Sequence, residues 1–382
     1  MKVSFPYMGQ TIAYKKLLEL LGHEVIEPEL PTQHTFDLGV LHSPEFVCYP
    51  FKVMMGSYFE VCEKGAEMII SSGGSGPCRA GLYGKVHEEI LRKAGYNVDV
   101  VIFDSVFKHT GYFIKQIKRI KNKTPLYKVA KYAFFILDMI KYLDEIDRKI
   151  NVDRAYEKVS GSFDKARDEI QQAFYKTNSK KELKKVYSES LEKLNAIEKV
   201  AVAEKDKLKI GLVGEIYVVM ERSTNNQIEK RLNALGCEVA NHQTISEWME
   251  HNTKPRSINK SEGWRMWDLA EEYKTCNCGG HDMENTGRIM DYAANNFDGV
   301  IHLMPFGCLP ELVTRSLIPK LSDDLDIPIL TMSIDEQNGE ANTQTRLEAF
   351  VDLCRNRKKL KEEKEHSEDN KTKAPERETV AC

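Results

Sequence analysis

The chain has 382 residues, an apolar fraction of 41% and a formal net charge of −3. That length exceeds one ordinary hydrophobic core and suits two domains with additions, and acids mixed among bases give no basic face of the kind nucleic acid selects. No stretch reaches the ~20 apolar residues of a membrane span, and Met1-Lys2-Val3-Ser4-Phe5-Pro6 lacks the charged start and long apolar run of a secretion signal, so the expectation is a cytoplasmic protein with neither nucleic acid nor membrane as partner.

The first elements form a strand–helix–strand unit: Lys2-Val3-Ser4-Phe5, a helix over about Thr11 to Leu21 closed by Gly22, and Glu24-Val25-Ile26. The same unit recurs as Lys209 to Gly214, a helix over about Asn225 to Leu235 closed by Gly236, and Glu238-Val239-Ala240. Each half then continues the alternation. The first has strand Ala66 to Ile70, a helix over about Tyr83 to Lys93 and strand Val98 to Phe103. The second has a helix near Thr286 to Asn295, strand Gly299 to Leu303, a helix near Leu309 to Ile318 and strand Pro328 to Met332. Alternation of this kind predicts an α/β fold: two Rossmann-like parallel-sheet domains with helices on both faces. Between them, residues 107–207 are rich in Lys, Glu, Leu and Ile, with apolar positions such as Ile136, Met139, Ile140 and Leu143 at helical spacing. The expected division is 1–106, a helical insertion over 107–207, 208–354, and a charged tail over 355–382 too polar to order itself beyond a solvated helix end.

Nine cysteines in a reducing compartment argue against disulfides. Cys237, Cys354 and Cys382 read as structural or incidental, and Cys62, on a helix fourteen residues after Cys48, reads as packing. Three others sit in Pro- or Gly-bearing turns: Cys48 in Val47-Cys48-Tyr49-Pro50-Phe51-Lys52, Cys78 in Gly76-Pro77-Cys78-Arg79, and Cys308 in Pro305-Phe306-Gly307-Cys308-Leu309-Pro310-Glu311. Such turns leave regular structure and can aim N–H groups at a sulfur. The bland alternative is strand-to-helix punctuation. Cys78 and Cys308 nevertheless follow strands, where α/β sheets bind ligands. Three thiolates from distant parts of the chain suggest an iron–sulfur cluster, and a cubane held by three would leave one iron open.

The Gly-rich stretch Ser71 to Gly81 is neither a phosphate loop nor a convincing dinucleotide fingerprint. Cys276 and Cys278, in Cys276-Asn277-Cys278-Gly279-Gly280-His281, do not have structural zinc spacing but are candidates for a second or enlarged cluster. Lys52 is placed to offset cluster charge. Glu311 either caps a helix or acts as a catalytic carboxylate, and the acidic stretch Ile334 to Glu340 is expected at the cleft. No Ser-His-Asp order or His-Glu-x-x-His motif supports a hydrolase.

Taken together, Cys48-Tyr49-Pro50-Phe51-Lys52, Gly76-Pro77-Cys78-Arg79 and Asp298 to Leu303 running into Pro305 to Glu311 resemble the signature of the 2-hydroxyacyl-CoA dehydratase superfamily. The ending Asp335-Glu336, Gly339-Glu340-Ala341 and Thr345 to Asp352 resembles its activase-related, or D-component-like, branch. The resemblance spans about 1–105 and 208–355. It implies a 4Fe–4S cluster on Cys48, Cys78 and Cys308. In that family the open iron takes a thioester carbonyl, one electron makes a ketyl radical and hydroxide leaves. The electron comes from a separate ATP-dependent iron–sulfur activator. A related branch joins two cubanes and reduces small molecules; there Cys62, Cys276 and Cys278 would complete six thiols. The resemblance therefore implies an oxygen-sensitive cluster protein that accepts electrons, acts on a 2-hydroxyacyl-CoA or a small molecule, and pairs as a dimer. The alternative is a non-catalytic cluster-carrying accessory subunit.

Overall fold

A computed structural model describes residues 1–73, 77–103, 110–252, 256–273, 277–337 and 339–372. The first half is β1 (Lys2–Ser4), α1 (Thr11–Leu20), β2 (Glu24–Val25), α2 (Gln33–His42), α3 (Tyr49–Glu63), β3 (Met68–Ser72), α4 (Tyr83–Lys93) and β4 (Asp99–Phe103). Four helices follow: α5 (Thr110–Ile120), α6 (Leu126–Asp153), α7 (Ser162–Lys176) and α8 (Lys180–Asn195). The second half begins with β5 (Leu208–Gly214), α9 (Ile216–Met220), α10 (Ile228–Ala234) and β6 (Cys237–Asn241). It continues with α11 (Ile245–Asn252), α12 (Glu262–Ala270), α13 (Asp282–Ala294), β7 (Gly299–Pro305), α14 (Leu309–Asp324) and β8 (Ile329–Ile334). The last helix is α15 (Glu340–Thr372).

All strand pairs within the two sheets are parallel, and the strand orders are the same: β2-β1-β3-β4 and β6-β5-β7-β8. The α/β expectation of two Rossmann-like domains is met. The repeat is deeper than the sequence reading. In both halves the helix entering the third strand (α3, α13) packs tightly on the helix before it. A Cβ on Gly56 would lie 1.8 Å from the Thr35 carbonyl oxygen, and one on Gly287 would lie 1.9 Å from that of Met266. The two C′ glycines that suggested the repeat, Gly22 and Gly236, have φ of +83° and +78°, the left-handed turn that closes a helix.

α6 braces the two halves. Its 28 residues span about 42 Å. Asp144 on α6 accepts from Gln10 Nε2 at 2.8 Å and from the Ser246 N–H at 2.9 Å, and Asn151 Nδ2 donates to Glu229 at 2.8 Å. α15 passes unbroken through residue 354, so the charged stretch starts inside a helix. Val351 and Cys354 are buried there. Beyond them Lys358 reaches Asp298 and Lys361 reaches Asp326, which anchors residues too polar to form a core. Residues 373–382 of the expected tail lie outside the described residues.

Candidate functional site

A parallel sheet ordered 2-1-3-4 diverges between its first and third strands, and ligands collect beyond the C-terminal strand ends at that point. Cys78 follows β3 and Cys308 follows β7, the corresponding strand of each sheet. All three cysteines sit at the residue just before a helix, with extended backbone: Cys48 before α3, Cys78 before the 3₁₀ turn Arg79–Leu82, and Cys308 before α14. Pro50 and Pro310 stand in the first turns of α3 and α14, where a missing N–H costs nothing. The free N–H groups at a helix start point at the capping side chain. None of the three sulfurs accepts a capping hydrogen bond here, but the N–H groups of Phe51, Ala80 and Glu311 lie near enough to favour the thiolates of Cys48, Cys78 and Cys308.

The three loops meet. A Cβ on Gly307 would lie 3.8 Å from Cys48 Cα. The Arg79 guanidinium donates to the Phe46 and Gly307 carbonyls, both at 2.8 Å, tying the Cys48 and Cys308 loops to the Cys78 loop. Tyr83 is hydrogen-bonded to the Cys48 sulfur and is held by the Phe51 ring, edge-on at 4.9 Å. Burial pushes the Cys48 thiol up to about 11 and raises those of Cys78 and Cys308 as well. Among the described residues no three His, Cys, Asp or Glu side chains are already gathered into a group able to hold a metal ion. The donor chemistry, three thiols at helix starts on loops that meet, nonetheless suits an iron–sulfur group.

Cys278 lies close by. A Cβ on Gly279 would fall 2.8 Å from Pro77 and 2.9 Å from the Cys78 nitrogen, and one on Gly280 would meet Pro310 at 2.6 Å. The Cys278 loop thus leans on the Cys78 loop much as the Cys308 loop leans on Cys48. His281 takes the position before α13 that Cys48 takes before α3. Burial, with His251 nearby, lowers its imidazole to about 4. Cys276 lies outside the described residues. Cys62 is in the last turn of α3, about 21 Å along the helix from Cys48. It is buried among Phe59, Val61 and Ala66. The packing reading of Cys62 therefore stands, and its place in a six-thiol set does not.

Glu311 does not face an open cleft. It is 0% exposed and accepts from Asn285 Nδ2 at 3.1 and 2.9 Å, with His302 Nε2 at 2.8 Å. Asn285 is fixed in turn: its Oδ1 accepts from the Gly214 N–H at 3.2 Å and from Gln243 at 3.0 Å. The carboxylate that influences all three cysteines is Glu215, which the sequence reading passed over. It caps α9 by accepting from the Val218 N–H at 3.1 Å. Burial lifts it to about 7, and its charge adds to the rise at Cys48, Cys78 and Cys308. The signal was available, since Glu215 is the first residue after β5, at the strand end where a site belongs. Lys52 does not approach a sulfur first. It forms a 2.7 Å ion pair with Glu336, which brings part of the acidic stretch after β8 against α3.

Two Rossmann-like lobes whose helix-starting cysteines converge define an α/β protein with a thiol-lined site between parallel sheets. The sequence model of the 2-hydroxyglutaryl-CoA dehydratase D-component family matches residues 137–353. The match covers more than half of the chain, and the chain belongs to that family. It takes in Cys278, Cys308 and Glu311 and leaves Cys48 and Cys78 outside it. No curated protein matches the chain. The family binds iron–sulfur clusters and works with an activator component. Among the described residues no helix is long and apolar enough to cross a membrane.

Proposed function

We propose that this chain is a cytoplasmic, oxygen-sensitive iron–sulfur component of the 2-hydroxyacyl-CoA dehydratase type. Cys48, Cys78 and Cys308 would hold a 4Fe–4S cluster, with Cys278 and Cys276 at hand for an enlarged one. The observation that supports this reading is the convergence of three helix-starting cysteines from both lobes, their loops tied together by Arg79. When bound, such a cluster with one iron free of protein ligands supplies one-electron reduction and a Lewis-acid site for a thioester carbonyl or a small substrate. The electron donor is an ATP-dependent activator, and a dimer is the expected assembly.

The chain's own residues do the rest. Arg79 fixes the spacing of the three loops. Tyr83 orients the Cys48 sulfur. Glu215 is the carboxylate on the cluster side and is assigned the proton exchange with substrate. Glu311, locked behind Cys308 by Asn285 and His302, acts through that network as a positioning residue.

The test is iron and acid-labile sulfide per chain on protein purified without oxygen, with EPR of the reduced state. About four of each indicates one cubane. About eight iron brings Cys276 and Cys278 into the site. Protein that stays folded but takes up no iron on anaerobic reconstitution overturns the proposal.

A further inference from the structure

α5 and the first turns of α6 carry the most one-sided charge in the chain. Residues 105–137 contain eight Lys or Arg and no Asp or Glu, in a chain of net charge −3, which corrects the expectation of acids and bases mixed along the whole chain. Arg119 is answered by Asp99 of β4. Lys115, Lys118, Lys123, Lys128 and Lys131 are exposed and, among the described residues, meet no carboxylate. Interleaved with them stand Tyr112, Ile114, Leu126, Tyr127 and Phe134, between 42% and 70% exposed. On α6, Tyr127, Lys131 and Phe134 follow at i, i+4 and i+7, so rings and cation share one stripe. This apolar surface is not the helices' inner face. Ile120 and Val129 already pack on Val3, Leu21 and Val101 of the first lobe. An outer face that is still both apolar and unpaired marks a contact surface.

We propose that the α5–α6 elbow docks the protein peripherally on an anionic phospholipid surface. Seven of the eight bases are Lys, whereas protein–protein interfaces favour Arg and are depleted in Lys. Lys keeps its ammonium at the headgroups while its stem and the neighbouring rings reach below. Single-stranded nucleic acid would use the tyrosines for stacking but has no use for Ile114 and Leu126. Pro125 precedes α6 and no acidic residue lies in its first turn, so the positive end of a long helix dipole adds to the field. The elbow is pinned by Asn122 Nδ2 on the Gly22 carbonyl at 3.0 Å and by Thr124 Oγ1 on that of Leu21 at 3.3 Å. Both carbonyls precede β2, at the edge where the strands of the first sheet begin. Cys78 lies at the opposite edge, as does the start of α5, whose Phe113 ring meets Phe103 at the end of β4, so the contact is centred on the elbow and the first turns of α6. A surface of this kind lies on a bilayer and needs no spanning segment, and the inference does not depend on the cluster.

The experiment is flotation of the full chain with neutral phosphatidylcholine vesicles and with vesicles containing about 30 mol% phosphatidylglycerol. The chain is expected to float with the anionic vesicles, to be released when salt is raised about fivefold, and to ignore the neutral ones. Lys123→Glu/Lys128→Glu/Lys131→Glu should lower the bound fraction at least about tenfold. Tyr127→Ser/Phe134→Ser should lower it several-fold with all charges kept. These side chains are exposed, so thermal unfolding of both variants should match the parent. No flotation overturns the proposal, as does flotation indifferent to lipid charge. Unchanged flotation of the Tyr127/Phe134 variant overturns it too, since a purely coulombic surface would serve an acidic protein equally well. Salt-sensitive retention on poly-glutamate or RNA without flotation assigns the face to that partner instead.

Discussion

A cysteine placed one residue before a helix is supplied by the backbone before any side chain helps. Cys48, Cys78 and Cys308 stand out in the sequence by their Pro and Gly neighbours, residues that interrupt a strand or start a helix, and the structure places each directly before a helix. Tyr83 escaped because no local pattern marks it, and Glu215 because its only signal is its place directly after β5; their role exists only once strand ends and helix starts are side by side. Cys276 was named in sequence and falls outside the described residues. His87 supports this site from behind, stacked on Phe51 at 4.0 Å with Nε2 on the Phe51 carbonyl at 3.2 Å. Burial lowers its imidazole from 6.5 to about 3. The folded state therefore resists a proton that the unfolded chain takes up readily, and stability held above pH 6.5 is lost as pH falls toward 3. Between about pH 7 and pH 5 this costs about 2 kcal/mol. Urea unfolding of the parent and of His87→Leu at both values should show that much less pH dependence in the variant; equal slopes would remove the argument.

At the level of elements, the helices and strands with clean periodicity were legible in the chain. Tyr83–Lys93 begins and ends where its spacing and Gly95 indicate, and Thr11–Leu20 stops before Gly22. α2, α11 and α12 were not foreseen: they are short, at 10, 8 and 9 residues, and helices of that length owe their stability to packing against a neighbour. α2 shows the mechanism. Gly39 and Gly56 let it cross α3 at backbone contact, where a Cβ would stand 2.0 and 1.8 Å from the Lys52 and Thr35 carbonyl oxygens. Gly56→Ala should therefore cost about 2–3 kcal/mol in denaturant unfolding. It should also lower iron retention, because α3 carries Cys48 at its start. A variant as stable as the parent would mean that the crossing is looser than its geometry.

At the level of the whole molecule, two sheets were predicted and two sheets of equal strand order are found, but their mutual packing could not be read from either half. The Lys52–Glu336 pair couples α3 of the first lobe to the loop after β8 of the second. Lys52 is buried, so loss of its partner strands a charge. Glu336→Gln and Lys52→Met should each destabilise, and the double variant should recover part of the loss, with a coupling of about 1–3 kcal/mol in a double-mutant cycle. Strict additivity would show that the lobes are held by other contacts.

The doubled architecture has a consequence for selectivity. Two equal lobes would present the same wall to both sides of anything held between them. These lobes are alike in strand order and unlike in what they offer: the first begins α3 with a sulfur, and the second begins α13 with an uncharged imidazole. Equal strand orders therefore do not make the two lobes equivalent, and whatever lies between them meets a different chemistry on each side.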